Sequence, residues 1–132
     1  MLAPADEALV AAARAVLAAH YRPFWHTVAA ALRGRDGRIV TGIHLGTTVG
    51  SMATCAEAVA IGRALLEGVA EVDTIVAVRQ PKPEEPPGPP AIVPPCGRCR
   101  ELLLDHHPGA RVIVAPDLVR PIADLLPSPY RR

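Results

Sequence analysis

Eight of the sixteen residues from Gln80 to Pro95, QPKPEEPPGPPAIVPP, are proline. Proline has no N–H to give to a sheet ladder and fixes its own φ, so no central strand can run through this stretch. It reads as an extended, exposed loop insert over 80–95 with no core of its own to build. The fold must be assembled from the segments on either side. With 132 residues, half of them hydrophobic, those segments are enough for a single domain over 1–132 around one packed core.

Before the insert, Leu9, Val10, Ala13, Val16 and Leu17 recur at helical spacing and predict an amphipathic first helix ending near His20 and Pro23. HTVAAALR and GRIVTGIHL flank Asp36-Gly37, a pair that suits a hairpin because glycine takes positive φ cheaply. Strands are expected near 26–33 and 38–45. TCAEAVAIGRALLEG predicts a second helix, with Thr54 and Glu57 in a capping-box pattern, Ala58, Ile61 and Leu65 on one face, and Gly68 closing it. VDTIVAVR, a short β-branched run, predicts a third strand. After the insert, CGRCRELLLDHH predicts a helix starting at the cysteines, ARVIVA a fourth strand and RPIADLLP a last short helix. This order implies helices packed on a mixed sheet. The stretch from Ala115 to Pro121 is short for a full fifth strand.

Charge narrows the partners. The formal net charge is +1 and the Lys and Arg residues are scattered, so there is no electrostatic footprint for DNA or RNA. The stretch MLAPADEALVAAARAVLAAHY has no positive leader and carries Asp6, Glu7 and Arg14 where a secretion signal needs an unbroken apolar core. No run approaches the roughly 18 apolar residues of a membrane span. The expectation is a soluble cytoplasmic protein with a small-molecule substrate and neither a nucleic-acid nor a membrane partner. Three cysteines, an odd number without an export signal, point away from a disulfide framework and toward metal binding or catalysis.

Cys96 and Cys99 are spaced i, i+3 at a predicted helix start, so their thiols project to one side. Alone, that pair leaves redox chemistry, metal binding and simple packing open. A thioredoxin-like motif would follow a strand directly, whereas a proline-rich loop precedes this one. Cys55 also opens a predicted helix and offers a third ligand, and both helix N-termini favour thiolates. Three cysteine ligands with no obvious fourth describe a catalytic zinc site with a position open for water. Glu57, two residues after Cys55, can act there as a general acid and base provided Cys55 sits in or before the first turn.

The pattern Cys55-Ala56-Glu57 followed by Pro95-Cys96-Gly97-Arg98-Cys99 resembles that of the zinc-dependent cytidine deaminase family. DGRIVTG, SMATCAEA, CGRCRELLLDHHPG and LLPSPY match the family in order and spacing from about Tyr21 to Tyr130. CGRCR, the following HPG and the LLPS-x-Y ending are most similar to the blasticidin S deaminase group within it. The resemblance implies a three-layer α/β/α sandwich on a mixed four- to five-stranded sheet. It implies one zinc ion per subunit on Cys55, Cys96 and Cys99, and Glu57 shuttling protons while an amino-substituted pyrimidine loses ammonia. It also implies a homo-oligomer, tetramer or dimer, in which Tyr130 helps cover a neighbour's active site.

Departures from the family carry information. Its sugar-binding Asn-x-Glu falls on His44 and Gly46, and a ribose hydroxyl buried without a partner costs on the order of 1 to 3 kcal/mol. A changed substrate such as a nucleoside analogue or a base is therefore expected. The aromatic near the base falls on His26, and Ala56 is expected to contact substrate beside Glu57. The family's Arg after Cys-Ala-Glu is Ala58 here, so Arg98 is the candidate to balance the negative charge of zinc with three thiolates. Another class of reading is a non-catalytic ligand-binding or sensing module that keeps the zinc site on the same scaffold.

Overall fold

The computed structural model describes residues 1–132. Helix α1 spans Pro4–His20, β1 Val28–Gly34, β2 Ile39–Ile43, α2 Ala56–Leu66, β3 Val72–Arg79, β4 Ala91–Val93, α3 Gly97–His106, β5 Arg111–Ala115 and β6 Leu118–Pro121. A 3-10 turn precedes α2 at Gly50–Met52, and another, Ile122–Leu125, stands where the last short helix is predicted. The strands form one mixed sheet in the order β2-β1-β3-β5-β6. β1 is antiparallel to both β2 and β3, and β3 runs parallel to β5.

Side-chain alternation splits the core into two apolar layers, one on each face of the sheet. Ala29, Ala31, Val76, Val78 and Ile113 meet Leu9, Val10, Ala13 and Leu17 of α1. Ala30, Leu32, Val40, Ile75, Ala77 and Val112 meet Ala56, Ala60, Ile61 and Ala64 of α2 and Leu103 and Leu104 of α3. The expected three-layer α/β/α sandwich is formed. Its outer end is pinned by Asp6, which is buried and accepts from the guanidinium of Arg33 at 2.9 Å and of Arg111 at 3.2 Å.

The sheet has six strands rather than four or five, because two very short ones pair where their own sequences give little signal. β4 lies inside the proline-rich segment and is antiparallel to the last residues of β3, with Ala91, Ile92 and Val93 opposite Arg79, Val78 and Ala77. These three form an unbroken proline-free run between Pro90 and Pro94, so their N–H groups can enter the ladder. β6 returns along β5 after the short turn at Pro116-Asp117. Its four residues, two of them exposed, make a shallow edge strand.

Helix α2 is set by details at both ends. At its C-terminus Gly68 adopts φ 77°, its N–H bonds to the Leu65 carbonyl, and the Val69 N–H reaches back to the Ala64 carbonyl at 2.9 Å. At its N-terminus the capping box expected from Thr54 and Glu57 is not made. Thr54 is held extended by a two-way backbone pairing with Leu45, and its hydroxyl donates to the Met52 carbonyl. Cys55 takes the cap position, with φ −68° and ψ 147°. Between the ends, the helix rests directly on β2 at Gly42, where a Cβ would collide with the Ala56 carbonyl and come within 2.5 Å of the Ala60 nitrogen. A glycine inside a strand that needs no unusual φ is here a close-approach residue.

Gly42→Ala must lift α2 off the sheet. Overpacking of this kind costs about 1 to 3 kcal/mol. The expected result is a loss of that size in urea unfolding, with the start of α2 displaced from the sheet edge.

Candidate metal centre

Two helix starts converge on one point. α2 follows the C-terminal end of β2, and α3 follows that of β3 through the proline-rich segment, so both begin at the carboxyl edge of the sheet. Cys55 caps α2 and Cys96 caps α3, with Cys99 in the first turn of α3. Their three sulfur atoms lie within 4.8 Å of one another, and Cys55 Sγ and Cys96 Sγ are 3.4 Å apart. Tetrahedral zinc at a Zn–S distance of about 2.3 Å requires thiolates separated by roughly 3.8 Å, which this spacing accommodates.

Burial is the largest influence on the acidity of all three thiols. Burial pushes the Cys99 thiol far up, and Glu57 and the other two sulfurs add to it. Burial also raises Cys55, reinforced by Cys96. At Cys96 burial acts in the same sense, but the hydrogen bond from the Cys99 backbone N–H, followed by those with the neighbouring thiols and the Arg98 N–H, outweighs it and brings that thiol below its ordinary value. Two of the three thiols thus resist ionisation, a resistance that a bound divalent ion overcomes by deprotonating the thiols that coordinate it. Three protein donors and an open fourth position belong to the catalytic class of zinc site.

Glu57 is 6% exposed and forms no ion pair. Burial raises its carboxyl, with its own backbone N–H opposing the shift. It lines a cavity of about 160 Å³ together with Cys55, Ala56 and Cys96, and with His44, Val28, Val93 and Pro94 on the remaining walls. Ala56 and His44, two of the candidates named from sequence, both line this cavity. His44 accepts the Thr27 backbone N–H on Nδ1 at 3.2 Å, so its neutral ring carries the proton on Nε2. Burial and then the charge of His26 lower its basicity, which favours that neutral form.

Other candidates lie elsewhere. Gly46 does not line the cavity: it packs against Phe24 and Trp25, where a Cβ would strike the Phe24 carbonyl. His26 supports His44 from behind through a 2.8 Å hydrogen bond to the His44 carbonyl and faces a separate cavity with His20, Thr41 and Arg63. Tyr130 is 83% exposed near the chain end and touches no part of this site within the one chain. Arg98 donates to the Ala53 carbonyl at 3.3 Å and borders a small space shared with Cys55, Ala58 and Cys99. Sequence reasoning missed Val28, Val93 and Pro94 as cavity walls, because what brings them together is the pairing of β1 and β4 on β3.

Fold and site together fit the class of zinc-dependent hydrolases in which a carboxylate stands beside the metal-binding cysteines. The family model for the cytidine and deoxycytidylate deaminase zinc-binding region matches residues 4–115. Blasticidin-S deaminase of Bacillus cereus is 38% identical over 130 residues, covering 96% of this chain and 93% of that protein. The crystal structure of cytidine deaminase from Mycobacterium tuberculosis superposes with a TM-score of 0.79 at 26% identity, covering 96% of this chain and 98% of that one. For cytidine deaminase from Mycobacterium leprae the TM-score is 0.77 at 29% identity, with 93% and 98% covered. The chain belongs to the cytidine and deoxycytidylate deaminase family, and it is a zinc-dependent deaminase, a hydrolase of C–N bonds.

The two kinds of cysteine should separate on metal removal. Purified protein is expected to hold one zinc per chain, and chelation should lower its melting temperature. Both Cys96→Ala and Cys99→Ala should lose zinc. In metal-free protein only Cys99→Ala, at a buried position, should lose further stability, by about 1 kcal/mol, while exposed Cys96→Ala stays near neutral.

Proposed function

We propose that this protein deaminates an amino-substituted pyrimidine carried on a nucleoside analogue of the blasticidin S kind, with cytidine as a poorer substrate. The observation that carries this reading is a buried, unpaired Glu57 in the same cavity as two of three clustered cysteine sulfurs. In this reading Cys55, Cys96 and Cys99 hold the zinc and Glu57 is the proton shuttle. Zinc bound there supplies Lewis acidity and lets water act as a nucleophile at neutral pH. A Glu57 carboxylate oxygen takes the proton released as water adds to the amino-bearing carbon. The carboxylate hands that proton to the ring nitrogen next to this carbon, then carries the proton of the new hydroxyl to the amino nitrogen, so that ammonia leaves and a carbonyl remains. A binding or sensing module would have no use for that carboxylate.

His44 is assigned as a donor to the substrate through Nε2–H, a role supported by the Thr27 contact that occupies Nδ1. Gly46 brings no carboxylate for a ribose hydroxyl, which supports a substrate other than ordinary cytidine. Ala56, at the first position of α2, lets the ring approach the helix start closely. Arg98 offsets the thiolate charge from the side of the cluster next to Ala58, and His26 acts through His44.

The cavity is smaller than the roughly 300 to 1,000 Å³ of pockets that enclose whole ligands, so it receives the reacting ring and leaves the remainder outside. That supports a homo-oligomer, dimer or tetramer, in which a neighbour's Tyr130 helps to close the site. Exposed Leu65 and Leu66 on α2 offer an apolar face for such assembly. Residues 1–132 then work as one domain, and the three free cysteines suit a reducing, cytoplasmic setting. No helix is long and apolar enough to cross a membrane.

Zinc-replete protein should release ammonia from blasticidin S and, more slowly, from cytidine. Glu57→Ala should retain zinc and lose about 10²- to 10⁴-fold in kcat. Turnover surviving that change would refute the assigned shuttle. Failure of the zinc-loaded protein on both compounds, on deoxycytidine and on cytosine would refute the substrate class.

A further inference from the structure

The proline-rich segment is held by contacts that the chemistry at the metal does not use. Arg79, the last residue of β3, donates to both carboxylate oxygens of Glu85, at 2.7 and 3.2 Å. Glu85 also accepts the Lys82 backbone N–H at 3.2 Å, while its own N–H bonds to the Lys82 carbonyl at 2.9 Å. Farther along, Arg14 of α1 donates from Nε to the Pro90 carbonyl at 3.0 Å. The chain then pairs as β4, with Ala91 opposite Arg79 itself, and two residues later Val93 and Pro94 wall the metal cavity. The outgoing leg of the segment and its returning strand are thus tied to the same residue.

We propose that Arg79 and Glu85 are positioning residues whose ion pair seats the proline-rich segment, so that its Val93-Pro94 end forms the specificity wall against which a flat aminated heterocycle packs beside Glu57. The proposal rests on the deaminase reading for the identity of the ring. Its mechanical half stands on the contacts alone. Hydrogen bonds from Arg79 and then from the Lys82 N–H hold the Glu85 carboxyl down at about 2, so the pair remains ionised across the neutral range. The prolines reduce the conformations open to the released segment, which lets one bidentate anchor set its position. Both side chains are about one-third exposed, so the pair adds little to global stability. Its effect is expected on the wall.

The test compares Arg79→Ala, Glu85→Gln and the charge swap R79E/E85R with the unaltered zinc protein. Hydrogen exchange at the amides of residues 91–93 should quicken about fivefold in each single variant and return toward the original rate in the swap. Zinc content and melting temperature should hold. With blasticidin S, KM should rise by a similar factor while kcat stays within about twofold, since the wall binds the ring and takes no part in proton transfer. Unchanged exchange at 91–93 in both single variants would overturn the clasp. Faster exchange with unchanged KM would overturn the specificity wall. If the unaltered protein turns over no aminated pyrimidine, the substrate reading fails, and the exchange rates still decide the clasp.

Discussion

The contact on which the site depends is the seating of α2 on β2. Gly42 has no Cβ, and Ala56 and Ala60 present the smallest possible helix face to it, so backbone meets backbone. That closeness places the first turn of α2 beside the carboxyl edge of the sheet. Cys55, held just outside the helix by the pairing of Thr54 with Leu45, then faces the same point as Cys96 and Cys99. The metal-ligand geometry is set by strand and helix packing, with loops supplying only the approach.

A second consequence follows from leaving the capping box unmade. Because Thr54 is occupied by its backbone pairing, nothing at the helix start draws Glu57 outward, and its side chain turns into the cavity. Two helix N-termini point partial positive charge at three sulfurs there, while burial resists their ionisation. A divalent cation resolves that opposition. The Glu57 carboxylate stays buried beside the cluster without an ion-pair partner, which is what supports the proposed proton shuttle.

The parts of the structure that could be read from sequence are those whose signals are local. The helical stripe of α1, the Asp36-Gly37 turn, the β-branched run of β3 and the cysteines at two helix starts each announce themselves within a dozen residues. The Cys-x-Glu and Cys-x-x-Cys spacings carried the metal centre and the family together. β4 and β6 were not readable because three or four residues are too few for a period, and their pairing partners are distant in sequence. Gly42 carried a signal that could have been used, an isolated glycine within a strand, whereas the packing of Gly46 on Phe24 and of His44 along the cavity depends on loop contacts that have no local signature. The proline-rich segment read correctly as unable to form a central strand, but its proline-free run of Ala91, Ile92 and Val93 proved enough to pair with the end of β3.

X-ray absorption at the zinc edge of the metal-loaded protein tests the central claim most directly. Three sulfur scatterers at about 2.3 Å and one oxygen or nitrogen near 2.0 Å are expected. A shell of four protein ligands with no light-atom position left open, or one with fewer than three sulfurs, would contradict the account.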